Sequence, residues 1–151
     1  MIIRKYKKSD LKAVAQLFYD TVHTVNAGDY TAEELNAWTE SSDSLRTRRN
    51  DLLIQRTLVA ENDGVITGIG SIDKSGCLDL LFTHKDYQGQ GIATALCEEL
   101  EKVFTCVKTY ASVTAKPFFE KRGYVAVKAQ EVQRSGVKLK NFEMQKNIPI
   151  R

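Results

Sequence analysis

The stretch Tyr87-Gln88-Gly89-Gln90-Gly91-Ile92-Ala93-Thr94 has the residue types and spacing of an anion cradle. It lies where an apolar run, Cys77 to Thr83, gives way to helical spacing, and its glycines allow positive φ and a close backbone approach to a ligand. N–H groups in the first turn of the following helix have no partner inside it, so they point at whatever lies above. A pyrophosphate is the natural guest of such a turn. On its own a glycine pair at a turn is more often structural than functional. Two nucleotide motifs are excluded: Gly91 is followed by Ile92-Ala93 where a Walker loop needs Lys then Ser/Thr, and Gly89-x-Gly91 leads to Thr94 where a dinucleotide fingerprint needs a third glycine.

Upstream of this turn, Asp79 is the one carboxylate inside the apolar run. Held there unpaired, its charged form is disfavoured and its pKa rises toward the range of a general base; the competing reading is a solvated or salt-bridged Asp. His84, just past the run, is read either as a proton relay or as an exposed or capping loop residue. Cys97 and Cys106 have no catalytic partner beside them in sequence and read as structural. Arg46, Arg48 and Arg49 read as a solvated helix face, or as an attraction for an acidic ligand.

The elements that must position these groups follow from periodicity. Ile2 to Tyr6 is extended, and Ser9-Asp10 precedes Leu11, Val14, Leu17, Phe18 and Val22 at helical spacing, with Gly28 ending the helix. Thr31 starts a second helix through Trp38, and the arginine-bearing segment continues as helix toward Leu53. From Thr57 the texture is that of strands: Asn62-Asp63-Gly64 is a hairpin turn, and Cys77 to Thr83 reads as a central strand covered on both faces. A helix over Gly91 to Phe104 buries Ile92, Ala95, Leu96, Leu100 and Val103. A strand over Val107 to Val113, a helix over Ala115 to Arg122 and a closing hairpin through Ser135-Gly136 complete the chain. The order β-α-α-β-β-β-α-β-α-β-β predicts an α+β (mixed α/β) domain over residues 1–151, a mostly antiparallel twisted sheet of about seven strands flanked by about four helices.

At 151 residues the chain fits one domain, and 42% hydrophobic against 27% charged residues excludes disorder. A net charge of +3 lends no support to a nucleic-acid partner. Three cysteines without close pairing argue against a disulfide scaffold and against a metal site. With no apolar signal segment and no membrane-length run, the expected setting is the cytoplasm.

The spacing Gln88-x-x-Gly91-x-Ala93 after a strand resembles the acetyl-CoA signature Q/R-x-x-G-x-G/A of the GNAT superfamily of N-acetyltransferases. Ala115-Lys116-Pro117-Phe118-Phe119-Glu120-Lys121-Arg122-Gly123-Tyr124 is similar to that family's later element, usually A-x-x-F-Y-E-K-x-G-F. The order of elements matches over essentially the whole chain, and Cys77 to Ala93 with the long closing hairpin look most like the small bacterial acetyltransferases of the YafP-like group. The resemblance implies acetyl-CoA as cofactor, with its pantetheine arm along Leu81, Phe82 and Thr83, in a wedge between that strand and Val107–Val113. Its pyrophosphate is then expected over Gln88, Gly89, Gln90, Gly91, Ile92, Ala93 and Thr94, held by backbone amides. Ser112 stands where many relatives carry an Asn that contacts the arm, and Phe119 near the cofactor, where the family usually has a tyrosine.

The implied reaction is acetyl transfer to a primary amine of a small molecule or peptide by direct attack on the thioester. The amine must lose a proton and the leaving thiolate must gain one, so a base and an acid are required. Asp79 is the expected base or amine anchor and His84 a relay. Since Phe119 has no proton to give, either Tyr110 or Tyr124 substitutes, or the thiolate leaves unaided. The early helices roof the acceptor site, where His23, Asn26, Tyr30 and Trp38, with Asp29, form a polar and aromatic set suited to a cationic amine; taken singly, each reads equally well as a cap or core residue. The competing function is a non-catalytic acyl-CoA-binding sensor or docking module. No nucleic acid or membrane partner is expected, and a homodimer is compatible with the chain.

Overall fold

Two tight turns set the registers of the sheet. Asp63 and Gly64 adopt φ of 49° and 82°, and Ser135 and Gly136 adopt 49° and 75°, the paired positive values of two-residue hairpins. In the computed structural model, which describes residues 1–149, these turns join β2 (Arg56–Asn62) to β3 (Val65–Ile72) and β6 (Val125–Arg134) to β7 (Val137–Asn147). With β1 (Ile2–Lys5), β4 (Cys77–Thr83) and β5 (Cys106–Ser112) they form one seven-stranded sheet in the order β1-β2-β3-β4-β5-β7-β6. Every neighbouring pair is antiparallel except β4 with β5. The expected mixed α/β architecture and the central place of β4 are both found.

Helices cover both faces. On one side lie α1 (Leu11–Thr24), α2 (Ala32–Trp38) and α3 (Arg49–Ile54), where Val14, Leu17 and Val22 pack on Val59, Ile69 and Leu80 of the sheet. On the other lie α4 (Ile92–Glu101) and α5 (Lys116–Lys121), where Ile92, Leu96 and Leu100 meet Leu58, Ile72 and Leu78. Among the described residues the α-helices number five, in keeping with the about four expected, and the arginine-bearing segment leads through a 3-10 turn into the short α3 that starts at Arg49. Helix α4 stops at Glu101, so Val103 is 75% exposed and does not join the buried face. Among the described residues, no helix is long and apolar enough to cross a membrane.

Gly68 in β3 lets α4 lie close to the sheet. A Cβ there would stand 2.6 Å from Ile92 Cγ2 and 3.1 Å from Leu96 Cδ1. Gly68→Ala therefore pushes the first turn of α4 off the sheet. We expect a loss of about 1–3 kcal/mol, typical of overpacking, read as a lowered thermal midpoint by circular dichroism.

Candidate active site

The sheet opens where β4 leaves β5. Their pairing consists of Cys77 with Lys108 and Leu78 with Thr109, and Thr109 Oγ1 donates to Leu78 O at 2.9 Å. At the next residue β4 bulges: Ser71 faces Leu80 and Ile72 faces Leu78, leaving Asp79 as the extra residue. A bulge bends its strand and increases the local twist, which carries the rest of β4 away from β5. The pleat changes face there as well. Leu78 packs toward α4, whereas Leu80, two residues on, packs toward α1. Beyond the bulge Leu81, Phe82 and Thr83 are only partly buried, not covered on both faces, because they wall the opening.

Strand alternation decides which amides face this wedge. His84 N donates to Thr67 O of β3 at 2.8 Å, so the N–H groups one and three residues earlier, of Thr83 and Leu81, point the other way, toward β5 and the gap. The Thr83 carbonyl, on the same side, accepts from Thr21 Oγ1 (3.1 Å) and Gln88 Nε2 (2.7 Å). These bonds tie both α1 and the glycine turn to the lip of the wedge.

At the mouth, Gly89 and Gly91 have φ of 74° and 78°, and Gly91 is the N-cap of α4. A Cβ on either would meet nothing within 4 Å, so the glycines serve the left-handed backbone and leave open space above it. The first backbone bond of α4 runs from Ala95 N to Gly91 O at 3.0 Å, which leaves the N–H groups of Ile92, Ala93 and Thr94 without helical partners. The Ile92 side chain is buried and faces the core, so its contribution at the turn is its backbone. Gln90 is exposed. The wedge continues into a cleft of about 1190 Å³ that reaches from Gln88 and Ala93 to the β6–β7 hairpin.

The titratable candidates separate. Asp79 lines the cleft, but it is not an isolated carboxylate: its Oδ2 accepts from the Arg48 guanidinium and from Gln55 Nε2 at 3.1 Å. Arg48 is thus not merely part of a solvated face. Tyr110 also lines the cleft and is 45% exposed. Tyr124 does not reach it: its ring packs on Phe119 and its hydroxyl donates to Glu101 Oε2 at 2.5 Å inside the α4–α5 core. Phe119 is buried and walls the cleft. His84 lies outside the cleft lining, its Nδ1 accepting from Asp86 N at 3.0 Å as the cap of a short turn.

The acceptor-side set divides similarly. Asn26, Tyr30 and Trp38 line the cleft, while His23 lies outside its lining and donates from Nε2 to Thr39 O at 2.8 Å. Tyr30 is committed: its hydroxyl donates to Lys140 O and accepts from Val113 N, both at 2.8 Å. Burial pushes its phenol pKa up, and the bond from Val113 N opposes that rise. Asn26 Nδ2 reaches Ser112 Oγ at 3.5 Å, Thr114 donates to Asp29 at 2.7 Å, and Ser112 Oγ accepts from Ala115 N at 3.0 Å. Residues 26–30 therefore fasten the early helices to the far lip of the wedge. Trp38 packs edge-on against Tyr30 and Phe82, with centroids 5.5 and 6.3 Å apart.

The cleft thus pairs a splayed parallel strand pair with a left-handed glycine turn at its mouth. The family model for the acetyltransferase (GNAT) domain matches residues 26–146. The chain belongs to the GNAT acetyltransferases. It is 30% identical over 142 residues to the uncharacterized N-acetyltransferase YafP of Escherichia coli (strain K12), covering 94% of this chain and 93% of that protein. A crystal structure of a GCN5-related N-acetyltransferase from Rhodopseudomonas palustris superposes with a TM-score of 0.89 at 31% identity, over 97% of this chain and 95% of that one. The PaiA N-acetyltransferase of Thermoplasma acidophilum, crystallised with coenzyme A, shares the fold with a TM-score of 0.75 at 20% identity, over 97% and 98% of the two chains.

Several cleft residues of this GNAT chain are not marked in the sequence. Thr21, and Gln55 behind the cleft residue Asp79, look like ordinary helix and loop residues, and their partners lie 62 and 24 positions away. Gln130, Arg134 and Asn141 sit in a strand pair whose alternation does not say which face meets the cleft. Asp79 did carry a signal, as the lone polar residue in an apolar run, and the bulge is its structural counterpart.

Proposed function

We propose that the chain, as one acetyltransferase domain over residues 1–151, moves an acetyl group from acetyl-CoA to a primary amine of a small molecule or peptide. The observation that carries this reading is the wedge: inward-facing amides of Leu81 and Thr83 on one lip, and the open glycine turn at its mouth. The residues fit the cofactor. Thr83 N–H can donate to an amide carbonyl of a pantetheine arm, and the unpartnered N–H groups of residues 92–94 suit a pyrophosphate. When bound, acetyl-CoA supplies an activated acyl carbon and a thiolate leaving group. Phe119 and Ala111 exclude water from the wall of the wedge.

Within this reading Leu81 N–H stabilises developing charge on the acyl oxygen, as a fixed backbone donor does. Asp79 accepts the acceptor's proton, directly or through water. Both its protein bonds fall on Oδ2, which leaves Oδ1 without a protein partner among the described residues and so open to an amine. Arg48 and Gln55 fix its rotamer. Tyr110, the cleft phenol with an exposed edge, is the group placed to return a proton.

Titration calorimetry with acetyl-CoA tests the cofactor half, and no heat at millimolar cofactor overturns it. Asp79→Asn is expected to bind acetyl-CoA normally and to lower kcat for amine acetylation by about a hundredfold, the usual scale for a lost general base. Full kcat across the pH range in that variant would remove Asp79 from the mechanism. Cofactor binding with no thiol release over a broad amine panel would instead identify an acyl-CoA-binding module.

A further inference from the structure

Most polar side chains of the cleft are already committed. Thr21, Gln88 and Thr109 bond to backbone carbonyls, Tyr30 is held by Lys140 O and Val113 N, and Arg48 is neutralised by Asp79 and Asp51. The β6–β7 hairpin differs. Gln130, Val132 and Arg134 of β6 alternate onto one face, with Leu139 and Asn141 of β7 beside them in register, and all five line the cleft. Asn141 Oδ1 is buried there without a hydrogen-bond partner among the described residues. The Arg134 guanidinium donates only to the neighbouring Gln133 carbonyl, at 3.1 Å, and among the described residues it meets no carboxylate within ion-pair distance. Across the tip, Ser135 donates to Glu40 Oε1 at 3.4 Å, so the segment after α2 meets the hairpin and closes this end of the cleft.

An orphaned buried acceptor and an unpaired guanidinium are both costly to leave without a partner when a cleft is filled, so each selects a ligand that supplies one. Lys140 meets the cleft through its carbonyl, which Tyr30 binds, while its side chain alternates onto the other face of β7 with Nζ over the Phe142 ring, so the charges left over are one cation, Arg134, and one anion, Glu40. That pair complements a zwitterion and disfavours both a simple polyamine and a dianion. Arg134 lies four residues along β6 from Gln130, about 13 Å at strand rise, so an anion bound there is far from the wedge.

We propose that Arg134 is the anion-recognising residue of the acceptor site, and that the acceptor is a primary amine of short-peptide length bearing its own carboxylate. The amine lies toward Asp79, the body donates to Asn141 Oδ1, and the carboxylate takes the Arg134 fork. This assignment rests on the acetyltransferase reading and narrows its acceptor class.

The test uses alanine, dialanine, trialanine and tetra-alanine, each as free acid and as C-terminal amide, so that the amine is constant and only the far charge changes. Acetylation rates are read alongside affinity for the protein loaded with coenzyme A. The expected result is a preference for the acid over the amide of at least about tenfold in KM and in affinity, greatest at two or three residues and absent for alanine itself. Arg134→Gln should abolish the preference by weakening the acid more than the amide, and Arg134→Lys should retain part of it. Since Arg134 is exposed, the variants' thermal midpoints should match the parent. The proposal is overturned if acid and amide agree within about twofold at every length, if no member binds, or if Arg134→Gln weakens both forms equally. Failure of acetyl-CoA itself to bind would instead defeat the acetyltransferase reading.

Discussion

A Gly91→Glu chain folds and loses acetyl-CoA affinity by about a hundredfold or more, equivalent to roughly 2.7 kcal/mol. Two effects act together. Gly91 holds φ 78° and ψ 12°, a left-handed conformation that costs a residue with a Cβ about 1–2 kcal/mol, and the turn relieves that cost by relaxing. Relaxation rotates the N–H groups of Ile92 to Thr94 away from their common focus. The added carboxylate also competes for those same N–H groups and repels a pyrophosphate. Folding survives because a carboxylate at a helix N-terminus stabilises the helix by about 0.3–1 kcal/mol, offsetting part of the torsional cost. Gly91→Ala isolates the backbone effect and should lose about tenfold. Titration calorimetry with far-UV circular dichroism on both variants decides the matter, and Gly91→Glu binding within tenfold of the parent would mean that the turn is not the phosphate cradle.

That the turn can be singled out from sequence at all reflects its local character. Positive φ at Gly91, the hairpin turns at Asp63-Gly64 and Ser135-Gly136, and the apolar faces of α1 and α4 are each written within a few consecutive residues. The strand count and the glycine turn were legible for that reason. What decides the site is not local. The bulge at Asp79 is a relation between β4 and β3, and it reverses which face Leu80 serves without changing the apolar pattern. Periodicity therefore reads Cys77–Thr83 as one doubly covered strand and misses the opening. The fate of each tyrosine depends likewise on distant partners: Tyr124 on Glu101 in α4, Tyr30 on Val113 and Lys140. Tyr110 and Tyr124 were equivalent candidates in sequence, and only packing separates the cleft phenol from the core one.

Glu101→Leu is expected to destabilise the chain by about 3–5 kcal/mol, the cost of stranding a buried partner charge, and to lower its thermal midpoint by roughly 10 °C. Glu101, 6% exposed, closes the last turn of α4, where a carboxylate is unfavourable to the helix dipole. Its position is explained by what it gathers. Arg122 donates to Oε1 at 2.6 Å, Tyr124 to Oε2 at 2.5 Å, and Lys146 stands 3.8 Å away, so one side chain joins α4 to the end of α5 and to β7. Removing it leaves the Arg122 guanidinium unpaired inside the α4–α5 core. A Glu101→Leu/Arg122→Met double variant should recover most of the loss, because two apolar side chains replace a buried pair at little net cost. Acetyl-CoA affinity, measured well below the midpoint, should stay unchanged, since the cradle is at the opposite end of α4. The same cluster predicts alkaline sensitivity. Burial, reinforced by the bond to Glu101, raises the Tyr124 pKa far above that of a free phenol. The folded chain then keeps a proton that the unfolded chain releases near pH 10, so this stabilisation is complete below about pH 10 and declines as pH rises further. Cys97, which burial pushes up to about 12, acts in the same direction from about pH 8.5 upward. Urea midpoints followed from about pH 8 to 11 should fall for the parent and fall less steeply for Tyr124→Phe. An identical slope in that variant would show that the Tyr124 hydroxyl is not held by Glu101.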